Sequence, residues 1–268
     1  MIKVFAIGDV VGRAGRHAIE QSIDSIRKEH SPDILILNGE NSAGGFGITK
    51  KIFHQYIDDF GFDCVTTGNH WHDKKEIIPF VEETDQLLIP ANMVNVSDET
   101  AGLKILTSKT GVKFAIINLI GKAFMHDGNR NPFQAASRLV AKIPDSVKVR
   151  IVDMHAEATS EKAGMAYFLR EKVSLVYGTH SHVPTADERI LPAGVGFVTD
   201  IGLTGSYDSI IGMESKAALK RMLTDKKVRL EPAKDNPWLC AIVAEIDENT
   251  GRCQKIERIR LELNNIDV

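Results

Sequence analysis

The chain has 268 residues, 43% of them hydrophobic and 26% charged, long enough to bury one large α/β core or two small ones. Its 33 basic and 36 acidic side chains leave a formal net charge of −3, which excludes the broad positive field of a nucleic-acid coat or a membrane-surface binder but not local binding of a small phosphate ester. Three scattered cysteines, Cys64, Cys240 and Cys253, make neither a disulfide framework nor a thiolate metal site and fit a reducing cytoplasm, and no apolar run nears the roughly 18 residues of a membrane span.

The chain opens with an apolar, strand-like run over 2–7, followed by a helical pattern over 16–28 and a second strand over 33–37, a βα rhythm. Thr49 has the chemistry of an N-cap for a helix whose apolar residues Ile52, Phe53, Tyr56, Ile57 and Phe60 recur at helical spacing, and Gly61 ends it. A third strand is predicted over 63–67. The middle changes character, because strands over 103–106 and 113–120 are separated by a Thr-Gly turn and read as a hairpin. Strands over 149–154 and 173–177 follow, then a helix over 214–223 and a strand-rich end over 227–230, 239–246 and 254–260. Two sheets packed together and covered by helices accommodate both patterns. With no linker, repeat or low-complexity segment, a single domain over 1–268 is expected.

Polar residues gather at the ends of these strands. Asp9 follows the first in "AIGDVVG", Glu40 and Asn41 the second in "LILNGEN", and Asn69 and His70 the third in "TTGNH". His155 closes a later strand in "IVDMHAE", and His180 and His182 follow the next in "GTHSH". Ligands of open α/β sheets bind outside the carboxyl ends of strands, so these side chains are expected to converge. Two carboxylates, two amide oxygens and several imidazoles suit manganese, iron or zinc better than the all-oxygen cage of calcium. They are also too many for one ion. A carboxylate bridging two metals accounts for the excess, and two-metal sites hydrolyse phosphate esters.

The ordered set GD, GEN, GNH, a lone His after a strand, and GTHSH resembles the calcineurin-type metallophosphoesterases and, more narrowly, the YmdB-like subfamily of bacterial phosphodiesterases. The resemblance runs nearly the whole length and includes "NSAGGFGIT", "HAEATSEK", "TADERILP" and "TDIGLTGSYDSIIGM". It implies a four-layer α/β/β/α sandwich with two packed mixed sheets flanked by helices. It further implies Asp9, Glu40, Asn41 and His182 at a first metal and Glu40, Asn69, His155 and His180 at a second, with Glu40 bridging, and His70 as the acid that protonates the leaving oxygen. The ions implied are two divalent or mixed-valence transition metals, iron or manganese first and zinc as third candidate. Implied substrates are small phosphodiesters, 2′,3′-cyclic nucleotides such as 2′,3′-cyclic AMP among them. Against the wider superfamily, the Asp-x-His opening reads Asp9-Val10-Val11 here and the bridging Gly-Asp reads Gly39-Glu40, with Asn41 standing in for the missing imidazole. Where the subfamily has Thr-Trp after Gly-Asn-His, this chain has Trp71-His72.

A cytoplasmic enzyme, a homo-oligomer without a membrane anchor or a stable nucleic-acid complex, is expected. Two other readings stay open: a nucleotidase or nuclease of the same superfamily, and a protein that binds metals and a nucleotide without turnover. His17, His30 and His54 fall in or at the ends of predicted helices and read as partly solvated surface residues. His72 and His126 lie near the site or on glycine-containing loops, where a substrate contact is the alternative to a plain loop residue. The "SAGGFG" stretch reads as a loop into the next helix ahead of a phosphate cradle, and Arg13 and Lys122 as surface charge ahead of anion contacts.

Overall fold

Alternating apolar residues pair the strands into two mixed sheets in a computed structural model, which describes every residue except 97–98, 126–128, 225 and 265–268. The chain runs β1 (Ile2–Ile7), β2 (Asp9–Val10), α1 (Gly12–His30), β3 (Ile34–Asn38), α2 (Lys50–His54), β4 (Cys64–Thr66), α3 (Ile77–Phe80), β5 (Leu103–Thr107) and β6 (Lys113–Ile120). It continues through α4 (Pro132–Val140), β7 (Val149–His155), α5 (Thr159–Phe168), β8 (Leu175–Thr179), β9 (Arg189–Leu191), β10 (Val195–Val198), β11 (Leu203–Ser206), α6 (Ser215–Leu223), β12 (Pro237–Ile246) and β13 (Cys253–Glu262).

The first sheet has the order β2-β11-β12-β1-β3-β4, with β13 also on β12; β1, β3 and β4 are parallel. The second has the order β5-β6-β7-β8-β10-β9, in which β6, β7, β8 and β10 are parallel and the edges antiparallel. Successive residues of a strand face opposite ways, and the core divides accordingly. Val4, Ala6, Ile34 and Ile36 of the first sheet pack with Ile116, Ile151, Leu175 and Tyr177 of the second. Phe5, Ile7, Leu35 and Leu37 pack with Ala18, Ile19 and Ile23 of α1 and Phe53 of α2. Ala115, Ile117, Val152 and Val176 pack with Ala135 and Leu139 of α4 and Met165 of α5. Strands covered on both faces read as continuous apolar runs, as β3 and β8 do.

Thr49 caps α2 by accepting from the Ile52 N–H at 3.3 Å, and the helix loosens into a π-turn over Gln55–Asp59 before Gly61 turns left-handed at φ 59°. The 103–120 hairpin is present as antiparallel β5 and β6. Helix α1 begins at Gly12, earlier than its apolar pattern indicates, because its first turn carries Gly and Arg and closes on the Val11 carbonyl. The strand predicted over 227–230 is irregular chain. Exposed Lys227 and Arg229 find no partner edge, and Pro232 brings no N–H to a ladder.

Candidate metal centre

Five strand ends converge. Asp9 opens β2 directly after β1, Glu40 and Asn41 follow β3, Asn69 and His70 follow β4, His155 closes β7, and His180 and His182 follow β8. All lie at the carboxyl ends of parallel strands, three from one sheet and two from the other. The two sheets are tied together beneath them: the Asp153 carboxylate on β7 accepts from the Thr66 hydroxyl at 2.5 Å and the Asn38 amide at 3.5 Å, both on the other sheet.

His155 is fully buried and central. Its Nε2 lies 3.1 Å from Asn69 Oδ1, 3.1 Å from His180 Nδ1 and 3.2 Å from Glu40 Oε1. Glu40, His155 and His180 each offer a ligand atom within 4.8 Å of the others. Asp9 is joined to this group through its Oδ2, which accepts from the His180 N–H at 3.0 Å, and its Oδ1, 3.9 Å from His155 Nδ1. His182 donates Nδ1–H to the Ile211 carbonyl at 2.8 Å, which leaves Nε2 as its other ring nitrogen for a cation.

Two observations fit a cation here. Asp9 Oδ1 and Asn41 Oδ1 are buried acceptors with no hydrogen-bond partner among the described residues, a state that costs about 1–3 kcal/mol each unless something occupies it. Gly68 is the other. A Cβ there would stand 2.1 Å from His155 Nε2 and 2.4 Å from Glu40 Oε2, so the backbone after β4 is pressed against the ligand atoms and accepts no side chain.

The surroundings orient the donors. Thr179 donates its hydroxyl to Asp153 at 2.7 Å and accepts Nδ1–H of His155 at 2.9 Å, which fixes Nδ1 as the donor and turns Nε2 toward the cluster. His180 and His182 hold left-handed backbone at φ 96° and 63°, rare for residues with side chains. Between them Ser181 gives its N–H and hydroxyl to Asp200, which a buried Lys162 grips at 2.6 Å. That buried pair over-determines the loop and holds the strain.

His70 stands at the edge, its backbone N–H on Glu40 Oε2 at 3.1 Å and its Nδ1 2.8 Å from the Asp73 carboxylate. Asp73 orients the ring through Nδ1 and leaves Nε2 without a hydrogen-bond partner among the described residues. Sequence reasoning missed Asp73, Asp153, Thr179, Lys162 and Asp200. The signal for Asp153 was present, since a charge two residues before His155 on an apolar strand shares its face. Trp71 is buried in the core cluster beneath the first sheet, with the His72 ring 5.4 Å from its own between centroids. His126 lies outside the described residues.

Electrostatics make the cluster a proton holder when no metal is bound. Burial works to lower His155, but Glu40, Asp9 and Asp153 outweigh it and hold the imidazole at about 9. Burial raises Glu40, and His155 outweighs that and keeps its carboxyl below the usual range. His180 is pushed down to about 3 by burial and by His155. A base raised from 6.5 to about 9 contributes stability that is complete below pH 6.5 and is lost as pH rises through 9. Chelated protein is therefore expected to lose melting temperature between pH 6.5 and 9, while metal affinity rises over the same range as the His155 proton leaves. Thermal melts with and without chelator check both; a flat chelated profile contradicts the pairing.

The sequence profile of YmdB-like proteins matches residues 5–259. The chain belongs to the YmdB-like family. It is 40% identical over 259 residues, 96% of each chain, to the 2′,3′-cyclic-nucleotide 2′-phosphodiesterase of Bacillus subtilis. The crystal structure of a hypothetical protein from Thermus thermophilus superposes with a TM-score of 0.89 at 33% identity, covering 97% of this chain and 99% of that one. That of a novel phosphatase from Mycoplasma pneumoniae does so with a TM-score of 0.89 at 30% identity, covering 98% and 94%. No helix among the described residues of this YmdB-like chain is long and apolar enough to cross a membrane, and its three cysteines are free and buried.

Proposed function

We propose that the chain is a metal-dependent phosphodiesterase of small phosphodiesters, 2′,3′-cyclic nucleotides among them, working with two transition-metal ions. The observation that carries this reading is the pair of orphan oxygens, Asp9 Oδ1 and Asn41 Oδ1, beside the Glu40–His155–His180 group; the identity to a cyclic-nucleotide phosphodiesterase supports the substrate class. Asp9, Glu40, Asn41 and His182 would hold one ion and Glu40, Asn69, His155 and His180 the other; the oxygen and nitrogen set suits iron, manganese or zinc, and the family resemblance puts iron or manganese first. When bound, the ions supply an acidified water and neutralise charge on the phosphoryl oxygens. The chain's own residues do the rest: Thr179 and Asp153 keep His155 presenting Nε2, Lys162 and Asp200 keep the two loop histidines in place, and His70 passes a proton from Nε2 to the leaving oxygen while Asp73 holds Nδ1.

The three packed clusters support a four-layer helix, sheet, sheet, helix stacking in one domain, and the buried free thiols support a cytoplasmic setting. A homo-oligomer remains part of the proposal. Turnover of a 2′,3′-cyclic nucleotide, abolished by chelation and restored by iron or manganese, is the expected result. Its specificity constant is expected to exceed that for structured RNA or DNA at one fixed salt concentration, since a net charge of −3 gives no long basic groove. Metal binding without turnover of any ester would refute the enzymatic reading, and faster cleavage of long nucleic acid would replace it with a nuclease.

A further inference from the structure

A cavity of about 570 Å³ opens beside His70, a volume typical of small-molecule sites. Phe46 lines it and touches the His70 ring edge-on, with centroids 5.0 Å apart. Lys74, next to the Asp73 that holds His70, lines it too, as do Arg13 at the start of α1, Arg221 on α6, Arg229 and Lys234. Glu231 is the acidic lining residue and lies 3.6 Å from Arg229. Arg13, Lys74, Arg221 and Lys234 have no ion-pair partner among the described residues. In a chain of net charge −3 these four unpaired cations gather at one cavity next to the candidate centre.

The walls are built to stay open. Pro232 sits so close to Gly45 that a Cβ there would fall 2.8 Å from its Cγ, which docks the 229–234 segment on the glycine loop, while Gly44 has nothing within 4 Å and leaves the mouth clear. Guanidinium forks and ammonium groups are phosphate ligands, and a half-buried phenyl ring among them is a platform for a base. Metal ions held by the candidate cluster would engage one phosphate, which would leave these cations for another.

Resting on the phosphodiesterase reading, we propose that this cavity binds a second phosphate of the substrate, with the adjoining base on Phe46. The substrate class is then a nucleoside phosphodiester that carries a further phosphate, either a 5′-monoester or the internucleotide diester of a short oligonucleotide.

Calorimetry on metal-loaded protein tests this without requiring turnover. Adenosine 3′-phosphate supplies one phosphate, adenosine 3′,5′-bisphosphate adds a monoester, and the dinucleotide ending in a 3′-phosphate adds a diester, so the last two arms separate the sources. Wild-type protein is expected to bind at least one of them on the order of 10–100-fold more tightly than adenosine 3′-phosphate. Affinity should also fall more steeply with salt for the ligands that carry the added phosphate than for adenosine 3′-phosphate, because the extra charge contact is screened. Arg221→Glu combined with Lys234→Glu should bring that affinity ratio close to one. Equal affinities and equal salt slopes in the wild type overturn the proposal, and so does a preference that the double variant keeps. The wild-type slopes decide the matter even if the double variant does not fold. Failure of the underlying reading is seen separately, as absence of turnover of a cyclic nucleotide by the same metal-loaded preparation.

Discussion

Glu40→Ala is expected to empty the metal centre. Glu40 is buried at 1% exposure with one carboxylate oxygen 3.2 Å from His155 Nε2 and the other on the His70 N–H at 3.1 Å, so it stands between the His155 side of the cluster and the residue assigned as acid. A bridging role makes each ion depend on it, and elemental analysis of metal-loaded wild-type protein should find two ions per chain against none in the variant. Asp9→Ala should chiefly lose the ion shared with Asn41 and His182. Because Lewis-acid stabilisation contributes several kcal/mol and each 1.4 kcal/mol is tenfold in rate, turnover should fall on the order of 10³-fold or more in Glu40→Ala. Removing the carboxylate also strips a buried imidazole of its counter-charge, so the variant should melt lower than chelated wild type near pH 7. Glu40→Gln, which keeps the volume but not the charge, should lose the ions and the counter-charge without opening a cavity. Wild-type protein holding one ion or none, or Glu40→Ala retaining both, contradicts the two-metal assignment.

The candidate ligands were legible because each sits immediately after an apolar run of strand length, and the geometry of parallel sheets turns five such positions into one place. Asp9, Glu40, Asn69, His155 and His180 could thus be gathered from local pattern alone. The groups that hold them could not. Asp153 meets Thr66 across 87 positions of sequence, a contact that exists only once the two sheets have packed, and Lys162 on α5 meets Asp200 just after β10 across 38. Nothing local to Ser181 announces that a buried ion pair will hold it, although a lysine in an amphipathic helix that turns out fully buried is the kind of position where such a partner is required. The fold was read best where apolar runs of strand length were clearly bounded, in β1, β3 and the β5–β6 hairpin. It was read least well where burial and not pattern decides. The irregular 227–234 segment has strand-like residues but pairs through an isolated bridge between Pro232 and Met213, and it becomes a wall of the basic cavity.

His70→Ala is expected to slow hydrolysis in a way that depends on the leaving group. His70 reaches the centre through its backbone, donating N–H to Glu40, while its imidazole is oriented from outside by Asp73 and packed against Phe46. A side chain so placed is free of the ligand set and leaves Nε2 unengaged, which suits a proton donor. Catalysis by such a donor follows Brønsted behaviour, so its value grows with the basicity of the departing oxygen. A ribose alkoxide leaves poorly unless protonated, and a nitrophenolate leaves without help. The variant should therefore lose on the order of 10²–10⁴ in turnover on a cyclic nucleotide and distinctly less on an aryl phosphodiester, with metal content unchanged. Asp73→Asn should show the same ordering with a smaller loss, because an amide still accepts Nδ1–H and orients the ring but no longer supports a positive imidazolium. If His70 served only to support Asn69 or an ion, both substrates would suffer alike and metal occupancy would drop. Equal losses on the two esters, in protein that retains both ions, contradict the acid assignment.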